Sequence, residues 1–169
     1  FFGLELMKDG FAPLAENRAF IDAFAWFRAD SYTGVLRAVL VGCILTVIVQ
    51  SSSATLGITI GLASTGVIPF TTAAALVLGE NIGTTITAVL ASLGATTEAR
   101  RAAYGHVLFN VFGVLWITAI FQWYIRIVSG TIESVHGLNP MLISLDTTPS
   151  LAFATVITAG IALTHTGFN

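Results

Sequence analysis

Charged side chains are scarce in this chain. Asp, Glu, Lys and Arg make up 9% of its 169 residues, against roughly 25% in soluble domains. With 55% hydrophobic residues and a mean hydropathy of +0.87, that shortage excludes an ordinary soluble domain. It predicts an all-α, multi-pass integral membrane protein with the lipid bilayer as its surroundings, and the plasma (inner) membrane is the expected residence. No basic patch suits nucleic acid, so no nucleic-acid partner is expected. The single cysteine, Cys43, excludes an intrachain disulfide and reads as a small buried hydrophobe. No Gly-x-Ser-x-Gly elbow and no His-Glu-x-x-His pair occurs, and no signal-peptide pattern is visible. The chain starts at Phe1 and stops at Asn169 inside an apolar run, so it is expected to be a fragment of a longer polypeptide.

What is present is apolar sequence broken by polar marks. Residues 1–33 read as the end of a helix (Phe1 to Leu14) followed by an interfacial amphipathic helix, with Phe20, Ile21, Phe24 and Phe27 set against Arg18, Asp22, Arg28 and Asp30. Residues 34–128 read as a core of hairpin, broken helix and spanning helix. Residues 129–149 read as a loop, and 150–169 as a truncated transmembrane helix. The apolar halves Val35–Val49 and Ala54–Thr65 each extend roughly 18–23 Å, short of a hydrocarbon core about 30 Å thick. Together they form either one broken helix or, as favoured here, a re-entrant hairpin turning between them. Gly94 to Arg101 reads as a polar loop, and its Arg100-Arg101 pair marks a cytoplasmic face. Ala102 to Val128 is long enough to span.

Between those halves stands Gln50-Ser51-Ser52-Ser53, inside a stretch without charge from Ala38 to Gly79. Irregular polar backbone at membrane depth survives only where it is buried in protein or lines a water-filled cavity. Transporters place their sites at such breaks. A helix N-terminus offers free N–H groups and a partial positive charge. With three added hydroxyls it suits a tetrahedral oxyanion. The bland alternative is a polar patch for helix packing.

Glu80 is the only charged residue between Arg37 and Glu98. An ionisable group at membrane depth costs at least ~2.5 kcal/mol and usually marks an ion or proton path. Glu80, Thr84 and Thr87 share one helical face and offer oxygen ligands for a hard monovalent cation. The alternative is a carboxylate bonded to a neighbouring helix break. Asn81, Gly83, Thr84 and Thr85 are expected to form a second break, at which they either replace lost backbone bonds or bind cargo. The pattern His-x-x-Phe-Asn occurs at His106–Asn110 and again at His165–Asn169. It reads as a polar pair bonding across helices rather than as a ligand. Two functional classes compete. A transporter explains both breaks, whereas a membrane-embedded serine hydrolase explains one serine and needs His106 as its base. A purely structural subunit leaves Glu80 without a role. The transporter explains more of the pattern than the hydrolase, so no enzymatic activity is expected.

At these residues the chain resembles the type II sodium–phosphate cotransporter family. The matching text is Val49-Gln50-Ser51-Ser52-Ser53-Ala54-Thr55, then Leu78-Gly79-Glu80-Asn81-Ile82-Gly83-Thr84-Thr85, then Arg100-Arg101-Ala102-Ala103 and His106-Val107-Leu108-Phe109-Asn110. The resemblance implies two inverted repeats, of which this chain looks most like the second. It implies a phosphate site at Gln50, Ser51, Ser52, Ser53, Asn81 and Thr85. It implies a sodium site, for the coupling ion, built partly from Glu80, Thr84 and Thr87, and no organic cofactor. Sodium-coupled transport of inorganic phosphate by alternating access is thereby implied, with a proton-coupled or other oxyanion transporter as the alternative. Animal members tend to have a small residue at the position of Glu80. The partner is expected to be the other repeat of the parent chain or a second copy.

Overall fold

A computed structural model describes Leu6, Gly10, residues 18–148 and residues 150–168, without the side chains of residues 20, 21 and 23. The expected helix end at Phe1–Leu14 lies outside the described residues except for Leu6 and Gly10, as does Asn169. The described chain forms α1 (Arg18–Ala25), α2 (Tyr32–Val49), α3 (Ser52–Ser64), α4 (Phe70–Ser92), α5 (Thr97–Ala119), α6 (Phe121–His136) and α7 (Ser150–Phe168). No strand occurs among the described residues. Helices α2, α4, α5 and α7 are long and apolar enough to cross a membrane. The all-α membrane class expected from composition is what the chain adopts.

Caps set several boundaries differently from the hydropathy pattern. Ser31 accepts a hydrogen bond from the Gly34 N–H at 3.1 Å and starts α2 ahead of Val35. The 18 residues of α2 then extend about 27 Å at 1.5 Å each. Its length falls within the range of roughly 17–25 apolar residues that can cross, and α2 is long and apolar enough to do so, against the expectation that the first half is too short. Thr96 accepts from the Ala99 N–H at 3.3 Å, so Arg100 and Arg101 stand on the first turns of α5 rather than in a loop.

The spanning helix expected over Ala102–Val128 is two helices, parted at Ile120 with φ −106° and ψ 19°. The cause is the change of pattern beyond Ile120. Gln122 and Arg126 interrupt the apolar run, while Phe121, Ile125, Val128 and Ile132 recur on one face and are buried. Such a helix packs along one side, and α6 lies against α7. It continues to His136 through residues expected to form a loop. There the Thr131 hydroxyl donates to the Ile127 carbonyl at 2.9 Å and Ser134 to that of Thr131 at 2.7 Å. Gly137, at φ 71°, ends it.

Helix α4 is the axis of the fold. Residues 72–81 are all buried, and α2, α3, α5 and α7 each pack on it. The break expected at Asn81–Thr85 is absent, and α4 is helical throughout. Gly79 and Gly83 serve contact instead of unwinding. A Cβ at Gly79 would meet the Val39 carbonyl of α2, and one at Gly83 would meet Cys43 O at 2.6 Å. The polar side chains also bond inside the helix. Asn81 Nδ2 donates to Val77 O at 3.0 Å, Thr85 Oγ1 to Ile82 O at 2.7 Å and Thr84 Oγ1 to Glu80 O at 2.8 Å.

These contacts also decide between broken helix and hairpin. The Ala29 N–H donates to Thr72 Oγ1 at 3.0 Å, Cys43 meets Gly79, and Thr46 meets Gly83. Residue numbers rise together, so α2 and α4 run parallel. Had α3 continued along α2, Thr59 would lie about 20 Å beyond Thr46 at 1.5 Å per residue. Instead Thr59 Oγ1 donates to Glu80 Oε1 at 2.8 Å. The chain therefore reverses at Gln50-Ser51, and α3 returns antiparallel to α4.

Candidate oxyanion and cation site

The reversal rests on two caps in succession. Gln50 closes α2 in the left-handed conformation, at φ 55° and ψ 25°, with its N–H donating to Thr46 O at 2.7 Å. It is the only non-glycine residue with positive φ among the described residues. Such a conformation costs a residue with a Cβ roughly 1–2 kcal/mol, which marks the turn as a functional candidate. Ser51 opens α3 and accepts from the Ala54 N–H at 3.3 Å. The Thr55 hydroxyl donates to the Ser51 carbonyl at 3.0 Å.

The first N–H groups of a helix have no intrahelical acceptor. In α3 those of Ser52 and Ser53 remain after Ser51 has taken Ala54. They point out of the helix end with the positive pole of its dipole behind them. Gln50, Ser51 and Ser53 are exposed and Ser52 is half-buried. Amides, hydroxyls and a carboxamide are thus assembled at an open end of the hairpin, without a cation among them. That chemistry suits a partly protonated oxyanion, which both accepts and donates.

Asn81 and Thr85 are carried by α4. Both are buried, at 5% and 4% exposure, with Asn81 Nδ2 donating to Val77 O and Thr85 Oγ1 to Ile82 O. The structure places Gln50, Ser51, Ser52 and Ser53 at the turn between α2 and α3, and Asn81 and Thr85 on α4.

Glu80 is buried at 1% exposure in the α3–α4 contact. Its Oε1 accepts from Thr59, and its Oε2 is buried without a partner among the described residues. Thr84 and Thr87 come next on the same helical face, half-buried. Their hydroxyl protons go to backbone carbonyls, Glu80 O and Thr84 O, the latter at 2.7 Å. Each hydroxyl oxygen keeps lone pairs facing away from the bond. Among the described residues no three His, Cys, Asp or Glu side chains gather as metal ligands. A cation here would be held by one carboxylate with hydroxyl and carbonyl oxygens.

Thr59 was not legible as a site residue. Thr55 and Thr59 are four apart on α3 and almost fully buried, but threonines in an apolar run carry little signal until the hairpin sets them opposite α4. The expected pair of His106 and Asn110 bonds within its own helix, not across helices, since Asn110 Nδ2 donates to His106 O at 3.0 Å. The imidazole of His106 is exposed beside Ala88, Ala91 and Ser92 at the end of α4.

The profile of the Na+/Pi-cotransporter family matches residues 1–150. Over 77 residues the chain is 48% identical to the uncharacterized protein YqeW of Bacillus subtilis, covering 46% of this chain and 25% of that one. It is 44% identical over 103 residues to human sodium-dependent phosphate transport protein 2B, covering 59% and 14% respectively. It is 33% identical over 114 residues to the candidate inorganic phosphate export protein YjbB of Escherichia coli, covering 68% and 20%. The chain spans a quarter or less of the length of these relatives. No solved structure matches it.

Proposed function

The chain belongs to the Na+/Pi-cotransporter family, and from that premise we propose that it is one repeat, the second, of a transporter that moves inorganic phosphate with sodium by alternating access. The family is one of transporters, and four helices are long and apolar enough to cross a membrane. We place the protein in the plasma membrane, paired with the other repeat of its parent chain or with a second copy. The exposed polar hairpin end supports the pairing, because Gln50, Ser51 and Ser53 facing lipid would leave polar groups unsatisfied at several kcal/mol each.

The observation that carries the reading is the reversal at Gln50-Ser51. It leaves the N-terminus of α3 at an open end of an otherwise apolar hairpin, where the Ser52 and Ser53 amides lie beside the three serine hydroxyls. Phosphate is held there by hydrogen bonds rather than by a fixed positive charge, which leaves it releasable. Gln50 supplies a carboxamide that both donates and accepts, as a monoprotonated phosphate requires. Sodium is carried at Glu80, Thr84 and Thr87, and Asn81 and Thr85 brace the turn or reach the anion once the partner repeat is in place.

The experiment is uptake of labelled phosphate into proteoliposomes holding the full polypeptide that carries this repeat, with and without a sodium gradient. Uptake driven by the gradient is expected. Uptake indifferent to sodium would overturn the coupling, and no phosphate movement under either condition would overturn the substrate.

A further inference from the structure

Thr59 and Glu80 come from different helices, and the bond between them joins α3, whose first turn carries the serine tract, to α4, the fixed centre of the fold. Both side chains are 1% exposed. The Thr59 hydroxyl uses its proton on Oε1, so its oxygen retains lone pairs, and Glu80 Oε2 is buried with no donor among the described residues. A buried, half-partnered carboxylate is costly unless a cation or further donors complete it. Nothing nearby in sequence supplies one, since Glu80 is the sole charged residue from residue 38 to residue 97.

We propose that Thr59 is a ligand of the coupling cation, so that one monovalent cation bridges α3 and α4 through Thr59 Oγ1 and the Glu80 carboxylate. This rests on the sodium-coupled reading above and adds to it a ligand from the hairpin itself. The antiparallel run of α3 and α4 extends the same line toward the tract. One turn from Thr59 stands Thr55, whose hydroxyl bonds the Ser51 carbonyl, and one turn from Glu80 stands Thr84, whose hydroxyl bonds the Glu80 carbonyl. A cation at Thr59 and Glu80 thus ties down the helix whose N-terminus receives the oxyanion. Sodium then raises phosphate affinity by fixing α3, and phosphate raises sodium affinity by the same factor.

The test uses the full transporter in detergent and two readouts besides transport. The first is the sodium-induced rise in melting temperature without phosphate, with choline as control. The second is the ratio of sodium to lithium needed for the same rise. Thr59→Val keeps the shape and is expected to need about tenfold more sodium and to change the sodium/lithium ratio. Thr59→Ser restores the hydroxyl and is expected to stay within about threefold of the parent. Glu80→Gln is expected to abolish the sodium effect. If the parent responds to sodium but Thr59→Val responds identically, Thr59 is no ligand and this inference fails while sodium coupling stands. If the parent shows no sodium effect on stability or uptake, both fail. Should Thr59→Val not fold, Thr59→Ala removes the same hydroxyl, and a sodium requirement and sodium/lithium ratio identical to the parent's in Thr59→Ala, or an unchanged sodium effect in Glu80→Gln, would overturn the bridge.

Discussion

Thr46 on α2 lies against Gly83 on α4 so closely that a Cβ built on the glycine would fall 2.6 Å from the Thr46 Cβ. The same Cβ would fall 2.6 Å from the Cys43 carbonyl oxygen, which belongs to backbone and cannot swing aside. The close pairing of α2 with α4, and with it the placement of the turn at Gln50, depends on the missing side chain.

Gly83→Val should therefore force the two helices apart. Overpacking costs typically 1–3 kcal/mol and more where backbone must move, so a fall in the melting temperature of the detergent-solubilised protein is expected. Gly105→Ala is the control, because nothing lies within 4 Å of a Cβ there, and it should be neutral or stabilising. Equal melting temperatures for Gly83→Val and the parent would remove the seam from the account.

Replacing Ser51, Ser52 and Ser53 together with Ala should abolish phosphate uptake while leaving expression intact. Each hydrogen bond to a charged group contributes about 1.5–3 kcal/mol, so losing even two lowers uptake at sub-saturating phosphate by a factor on the order of a hundred or more. The Ala54 N–H also loses its cap, at ~1 kcal/mol, so a folded fraction must be measured alongside. Arsenate, which shares the shape and protonation of phosphate, should compete in the parent, and sulfate poorly. Normal uptake by the triple variant would end the assignment.

The parts legible in sequence were those set by composition and local spacing. The apolar class of the chain, the polar turn at Gln50–Ser53 and the isolated Glu80 all stand in the primary structure. The hairpin was legible only as a preference, because apolar length alone does not choose between continuing and turning back. The bond from Thr59 to Glu80 makes the choice, and it joins residues 21 apart. The misread second break has a physical cause. Glycine flanked by Asn and Thr suits an unwound helix, yet the same glycines permit close packing, and Asn81, Thr84 and Thr85 each bond a carbonyl of their own helix. The run Ser129–His136 was misread for the reverse reason. Its polar residues suggested a loop, but Thr131, Glu133, Ser134 and His136 are exposed on a helix that buries Val128, Ser129 and Ile132.

Thr87→Val preserves shape and removes one oxygen. The Thr87 hydroxyl already gives its proton to Thr84 O, so only its acceptor lone pairs are available to a cation. The sodium concentration for half-maximal uptake should rise about tenfold, equivalent to ~1.4 kcal/mol, with the phosphate dependence at saturating sodium unchanged. A change confined to the phosphate dependence would place Thr87 with the anion instead.

Tyr124 on α6 donates its hydroxyl to the Thr164 carbonyl on α7 at 2.8 Å. Thr164 also uses its own hydroxyl on Gly160 O at 2.8 Å, so the tyrosine is what fastens α6 at that end. Tyr124→Phe should cost about 0.5–1.5 kcal/mol, seen as a modest drop in melting temperature, and leave the sodium and phosphate dependences alone. A shift in either dependence would show that α6 reaches the transport site.

The lone cysteine gives a direct view of the serine turn. Cys43 is half-buried in α2, so Cys43→Ala, combined with replacement of any cysteine elsewhere in the parent polypeptide, provides a background without reactive thiols. Ala54 is exposed at the first turn of α3, one residue past the tract, and its replacement leaves all three serines in place. In that background Ala54→Cys should react with a charged, membrane-impermeant thiol reagent. Phosphate bound at the Ser52 and Ser53 amides would stand within one turn of the new thiol, about 5 Å away, and should slow the reaction several-fold. Sodium should deepen that protection and sulfate should give none. Labelling at one rate with and without phosphate, in a variant that still takes up phosphate, would place the anion away from this turn and dissolve the oxyanion site argued here.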